Sequence, residues 1–234
     1  MGRLSDANDA NNKVVATAEG LTSDAFHRLL DLAITGRGKL LGARTIANNQ
    51  LRQRNDQEDA IRWLSNQHIA LAGGQGFATN WGGFLLSLVT IPANMAAAAF
   101  IQARAVAAIA HLRGYELNDP RVRTAILMVM LGPRGSAALI ASGDLPSSAA
   151  AVATAPAFDP QLDSRVSRAL LEHSMNQVGG KRLGVFLAKK VPLVGGGVGA
   201  VVDGWSTRSI VQYAQEQFVS RRPRATGYVI IVED

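Results

Sequence analysis

Five polar side chains make the constellation best placed to do chemistry: Arg104, Asp119, Asp203, Thr207 and Arg208. Two cations, two carboxylates and a hydroxyl are enough to hold an anion and relay a proton, so an active site is one reading of the set. The preferred reading is an internal salt-bridge network, because a charge among alanines is costly to bury unless it is paired. Arg104 then needs a carboxylate, with Asp203 the first candidate and Asp119 the second. An arginine that snorkels towards water is the other structural reading.

Other chemistries find little support. His27, His68, His111 and His173 show neither HExxH nor another close metal-ligand pair, so no metal and no cofactor is expected. His68, on the apolar face of a helical stretch, reads as a hydrogen-bonded core residue. There is no G-x-S-x-G nucleophile motif, and zero cysteines remove disulfides, thiolate metal sites and cysteine nucleophiles. The glycine-rich GGQGFATNWGGF, residues 73–84, invites comparison with a phosphate-cradling loop. It lacks GK[ST] and a preceding strand, so close packing or a bend is the better reading.

These residues must be positioned by the two least polar stretches of the chain. From Trp81 to Ala103 there is no ionisable side chain, about the length that a bilayer-spanning helix requires. Pro92 divides the stretch, because it lacks an amide proton and suits the first turn of a helix. A helix is expected from about Pro92 to Arg113, with Ala96, Ala99, Ala103, Ala107 and Ala110 as a narrow strip, and with Arg104 and His111 on one polar line. The second stretch, VPLVGGGVGAVVDGWSTR, carries Gly195 and Gly199 as GxxxG, with Gly204 in a parallel small-residue row. Its small-residue face is expected to pack against the alanine strip.

Residues 1–20 are polar and read as a flexible leader without a secretory h-region. Residues 21–220 read as a single all-α unit. Within it, Phe26, Leu29, Leu30, Ala33 and Ile34 mark the buried face of a first helix that ends near Thr35, and Gly36 and Gly38 punctuate it. A second helix is expected over Lys39 to Arg54 and a third after Asn55 or Asp56. Gly114 ends the central helix, and Asn118 or Asp119 caps the next, with Pro120 at its first position. The interval 143–160 reads as a flexible loop, followed by a helix over 161–177 and a second helical piece towards Pro192. Residues 221–234 form a basic tail in which Tyr228 to Val232 could add one short strand.

The net charge of +6 suits an anionic partner. Arg221, Arg222 and Arg224 make the clearest basic cluster and are the candidate contacts to a membrane surface. Nucleic acid is an unlikely partner, because no helix-turn-helix spacing, zinc finger or aromatic-interleaved basic strip accompanies the cations.

The motifs, taken in order, are GGQGFATNWGG, TIPANMAAAAFIQARAVAAIAHLRGYEL with the following DPRVRTAILMVMLG, then KRLG, and VPLVGGGVGAVVDGWSTR. In this arrangement the chain resembles the EcsC protein family over about residues 25–220. It departs from the family pattern at Asn94, where an acidic residue is common, and at Glu116, where Asp is usual. The resemblance implies a helical, membrane-associated bacterial protein loosely linked to transport or secretion, with no established reaction. The expected function is therefore a non-enzymatic accessory or binding protein on the cytoplasmic side of the membrane. Its partner would be an anionic membrane surface or a membrane protein complex, with a homo-oligomer as a further option and integral insertion still open. The alternative is a soluble helical lipid-handling protein or enzyme with an apolar pocket.

Overall fold

Glycine and proline punctuate this chain, and helices fill the intervals. The computed structural model describes residues 25–73, 93–145, 147–188 and 195–221, with the backbone alone described at 93–96, 175–188 and 195–205. The fold is all-α. Helix α1 covers 25–35. A two-stranded hairpin follows, β1 (Gly36–Arg37) and β2 (Leu40–Leu41), and then α2 (Ala43–Arg54) and α3 (Gln57–Gly73). The remaining helices are α4 (Ala93–Leu112), α5 (Pro120–Met130), α6 (Gly132–Ala141), α7 (Ala149–Ala153), α8 (Pro160–Ala188) and α9 (Gly195–Gln217).

Local chemistry accounts for most boundaries. Asp119 accepts a hydrogen bond from the Arg121 backbone N–H at the start of α5, and Pro120 follows at the position where no amide donor is needed. Gly114, after α4, has φ +89, and Asn55, after α2, has φ 53, left-handed conformations that stop a helix. Asp56 accepts from the Asp59 N–H at 2.7 Å and so caps α3.

Three expectations are corrected. The helix expected from Lys39 starts at Ala43, because Gly36 (φ +74) and Gly38 (φ +59) fold residues 36–41 into the hairpin. The segment 161–177 and the helical piece after it form one helix, α8, which runs through Gly179 and Gly180. The interval 143–160 holds α7, capped by Ser148, with Ala149, Val152 and Ala153 buried, so it is not a structureless loop. The leader, the glycine-rich loop from 74 onwards, Pro92, Arg222, Arg224 and the possible strand 228–232 lie outside the described residues.

Helix α4 packs against α2, α3, α5 and α9, and its second half is almost wholly buried, from Phe100 to Leu112. The expected central helix is therefore central. Helix α5 is buried likewise, with Thr124 to Met130 all inside. The five expected apolar residues of α1 are all buried. Each fully buried leucine or isoleucine in such a core contributes about 1.5–3 kcal/mol, enough for these alternating faces to orient their helices.

Candidate functional site

Two sets of hydrogen-bonded polar side chains join helices in the interior. The first lies between α3, α4 and α9. His68 on α3 is fully buried, and its Nδ1 lies 2.8 Å from the Leu64 carbonyl. A carbonyl can only accept, so Nδ1 carries the proton, and Nε2 is free to accept from Arg104 Nε at 3.1 Å. The Arg104 guanidinium also sits over the Phe100 ring, 5.2 Å from its centre. Burial, the Arg104 charge and, in opposition, the Leu64 bond bring His68 down to about 4, so it is neutral near neutrality. Burial lowers Arg104 to about 10, still charged. His68 is thus the hydrogen-bonded core residue that its position on α3 implies.

Neighbouring bonds extend this seam. Gln102 donates at 3.5 Å to Ser206 and Thr207, and Gln215 donates to Ser65 at 3.1 Å. Thr207 is buried, as is Ala103, while Ala99 is partly buried. These contacts fasten α9 to α3 and α4. The predicted contact of the Gly195, Gly199 and Gly204 face with Ala96 lies outside the described side chains, as does that of Asp203 with Arg104. His111, expected on the same line as Arg104, bonds Asn48 of α2 at 3.0 Å.

Of the predicted constellation, the described members Arg104 and Asp119 do not meet. Asp119 is not a partner of Arg104: it holds Arg121, which bonds it through Nε at 2.9 Å and through NH2 at 2.5 Å. The Arg121 side-chain bond keeps the Asp119 carboxyl below the usual range, against burial, with help from the Arg121 and Val122 backbone N–H groups. Arg208 is exposed. The reason is geometric, since Asp119 caps α5 beyond the end of α4 whereas Arg104 lies mid-helix and faces α3.

The second set joins α1, α5 and α8 and was not anticipated. His27 Nε2 meets Asp163 Oδ2 at 2.8 Å, and the Thr124 hydroxyl donates to Asp163 Oδ1 at 2.5 Å. Arg123 donates to Asp31 at 2.7 Å close by. Burial would raise the Asp163 carboxyl, but the bonds from His27 and Thr124 and the charges of His27 and Arg123 outweigh it and hold it low. A nucleophilic triad needs the imidazole between hydroxyl and carboxylate. Here the carboxylate is in the middle and accepts from both sides, so it braces three helices. Thr124 offered a signal, being the one hydroxyl at the head of the apolar run TAILMVML. Asp163 offered none, since an acid in a first helical turn needs no tertiary partner.

Thr124 also lines a cleft of about 190 Å³ with Arg121, Ala151, Val152, Phe158 and Leu162 among its walls. Arg121 reaches across it to the Ala155 carbonyl. Elsewhere Arg113 forms a two-pronged pair with Glu58, at 2.5 and 3.0 Å, which ties the end of α4 to the start of α3. Among the described residues no group of three His, Cys, Asp or Glu could hold a metal ion. Among the same residues no single helix is long and apolar enough to cross a membrane; α5 and α6 pass by length and composition only as a pair, bent by 105°.

The model of the EcsC protein family matches residues 3–222. No curated protein and no solved structure matches the chain.

Proposed function

The chain belongs to the EcsC protein family, and from that premise we propose that it is a non-enzymatic accessory or binding protein. In this reading it docks on an anionic membrane surface, or on a membrane protein complex, from the cytoplasmic side and serves transport or secretion. The observation that carries the reading is the use made of the interior polar groups. His68 with Arg104, Asp163 with His27 and Thr124, and Arg121 with Asp119 and the Ala155 carbonyl all join elements of the fold. The hydroxyl and imidazole that bond Asp163 are both committed to one carboxylate, an arrangement suited to rigidity and not to nucleophilic attack.

The excess of positive charge supports an anionic partner. Peripheral docking is favoured over insertion because α5, one half of the bent pair, is already enclosed by protein from Thr124 to Met130. The alternative of a lipid-handling protein or enzyme has the cleft beside Phe158 to draw on. At about 190 Å³ it is smaller than the roughly 300–1,000 Å³ of most small-molecule sites.

Sedimentation with vesicles tests the proposal. The protein should pellet with phosphatidylglycerol-containing vesicles in 0.1 M salt and be released in 1 M salt, as the Debye length falls from about 10 to about 3 Å. Failure to pellet with any vesicle would overturn membrane docking, and binding that withstands both salt and carbonate would replace it with insertion.

A further inference from the structure

Among the described residues three large apolar side chains stand in solvent: Leu41 at 49% exposure, Phe158 at 40% and Val219 at 63%. They come from distant parts of the sequence, yet each lies within three residues of one that bonds the connection 113–119 or the first turn of α5. Leu41 ends the hairpin three residues before Arg44, whose NH2 donates to Glu116 at 2.8 Å. Val219 lies between Phe218, which meets the Tyr115 ring edge-on at 5.0 Å, and Arg221, whose N–H donates to the Arg113 carbonyl at 2.8 Å. Phe158 follows Ala155, whose carbonyl is held by Arg121, itself paired with Asp119. A bond from the Ala150 N–H to Gln217 at 3.3 Å also ties the end of α9 to α7.

Charge gathers at the same end. Arg37 and Lys39 are exposed on the hairpin beside Leu41, and the exposed Arg221 has its guanidinium over Tyr115 at 5.3 Å. Glu116 is matched there by Arg44, Glu58 by Arg113 and Asp119 by Arg121, and Arg37, Lys39 and Arg221 come in addition to these pairs. A single exposed leucine is ordinary on a protein surface. Three large apolar tips with the exposed cations Arg37, Lys39 and Arg221 beside them match what an anionic bilayer recognises: cations for the headgroups and apolar tips for the acyl boundary.

We propose that this end of the helical bundle seats on an anionic lipid bilayer, with Leu41, Phe158 and Val219 as the tips and Arg37, Lys39 and Arg221 among the cations. The inference rests on the membrane-surface reading above and adds the face that makes contact. A fluid interface suits tips presented by three separate segments, whereas one protein groove would need them side by side.

The absence of cysteine makes the test direct. An environment-sensitive dye on Leu41→Cys, Phe158→Cys or Val219→Cys in the full chain should brighten and shift to the blue with mixed phosphatidylglycerol and phosphatidylcholine vesicles. The same dye on Ala70→Cys should not respond. Ala70 is exposed and lies twelve residues along α3 from Glu58, about 18 Å from the proposed face. Lys39→Ala should weaken partitioning about fivefold at low salt. Circular dichroism of each variant checks that it is folded. Sedimentation with vesicles but no dye response at the three tips, or an equal response at position 70, overturns this face and leaves membrane docking standing. No sedimentation at all overturns both.

Discussion

Acidification from pH 6.5 to 4 should destabilise the protein through one imidazole, His68. In the folded chain burial and the Arg104 charge hold it at about 4, while in the unfolded chain it titrates near its ordinary 6.5. Between these values the unfolded state binds a proton that the folded state refuses, so stability rises with pH across the window and falls as the solution is acidified. A gap of about 2.5 pKa units, at about 1.4 kcal/mol each, corresponds to roughly 3 kcal/mol lost between pH 6.5 and 4. In a chain of this size that is a fall in Tm of about 6–12 °C. His173, also lowered by burial, acts in the same direction, so the contribution of His68 is isolated by substitution. His68→Gln keeps an acceptor for Arg104 Nε but has no proton to gain. Urea unfolding of both proteins at pH 7.5, 6, 5 and 4.2 should show similar stability at pH 7.5 and a flatter pH profile for the variant. An equal acid slope in the two proteins would refute the buried, neutral imidazole, and with it the Arg104 to His68 bond.

Two further outcomes follow from the geometry. Gly42→Ala should be far more harmful than Gly38→Ala, because a Cβ at 42 would lie 2.3 Å from the Ile34 carbonyl oxygen and 2.6 Å from the Gly36 nitrogen, whereas at 38 nothing lies within 4 Å. The first should cost at least about 1–3 kcal/mol by overpacking backbone, the second about 1 kcal/mol for its left-handed φ, and thermal melts of the pair would check the order. Thr124→Val keeps the shape of the side chain but removes a donor from Asp163, at a cost of about 1–3 kcal/mol near neutrality. Because the Asp163 carboxyl is held low, its contribution is present above the unfolded value of 3.8 and lost as pH falls through the folded one. The variant should lose less stability than the wild type between pH 5 and 2, and an unchanged acid loss would count against the Thr124 bond.

What the sequence by itself determined was the set of local decisions. The buried face of α1 was legible from the spacing of Phe26, Leu29, Leu30, Ala33 and Ile34, and the start of α5 from Asp119 and Pro120, because a helix face and a cap depend on residues within a turn or two. Gly114 was readable as a stop for the same reason. Even the polar character of the α4 interior could be seen, since Arg104 stands alone among alanines. Its partner could not. His68 is 36 residues away and His27 is 136 residues from Asp163, and no propensity or periodicity encodes which of several buried polar groups will face each other. Arg104 was expected to seek a carboxylate on electrostatic grounds; its first candidate, Asp203, lies outside the described side chains, and the packing of α3 against α4 brings it a neutral imidazole, with the Phe100 ring one turn back on α4 itself. The hairpin at 36–41 was likewise a tertiary outcome: two glycines announced a break, but only the close approach of Gly42 to the end of α1 turned the break into paired strands. Pairings across helices, and the gathering of Leu41, Phe158 and Val219 around one connection, depend on how helices cross, which is set by the summed fit of many side chains and is written in no single stretch of the chain.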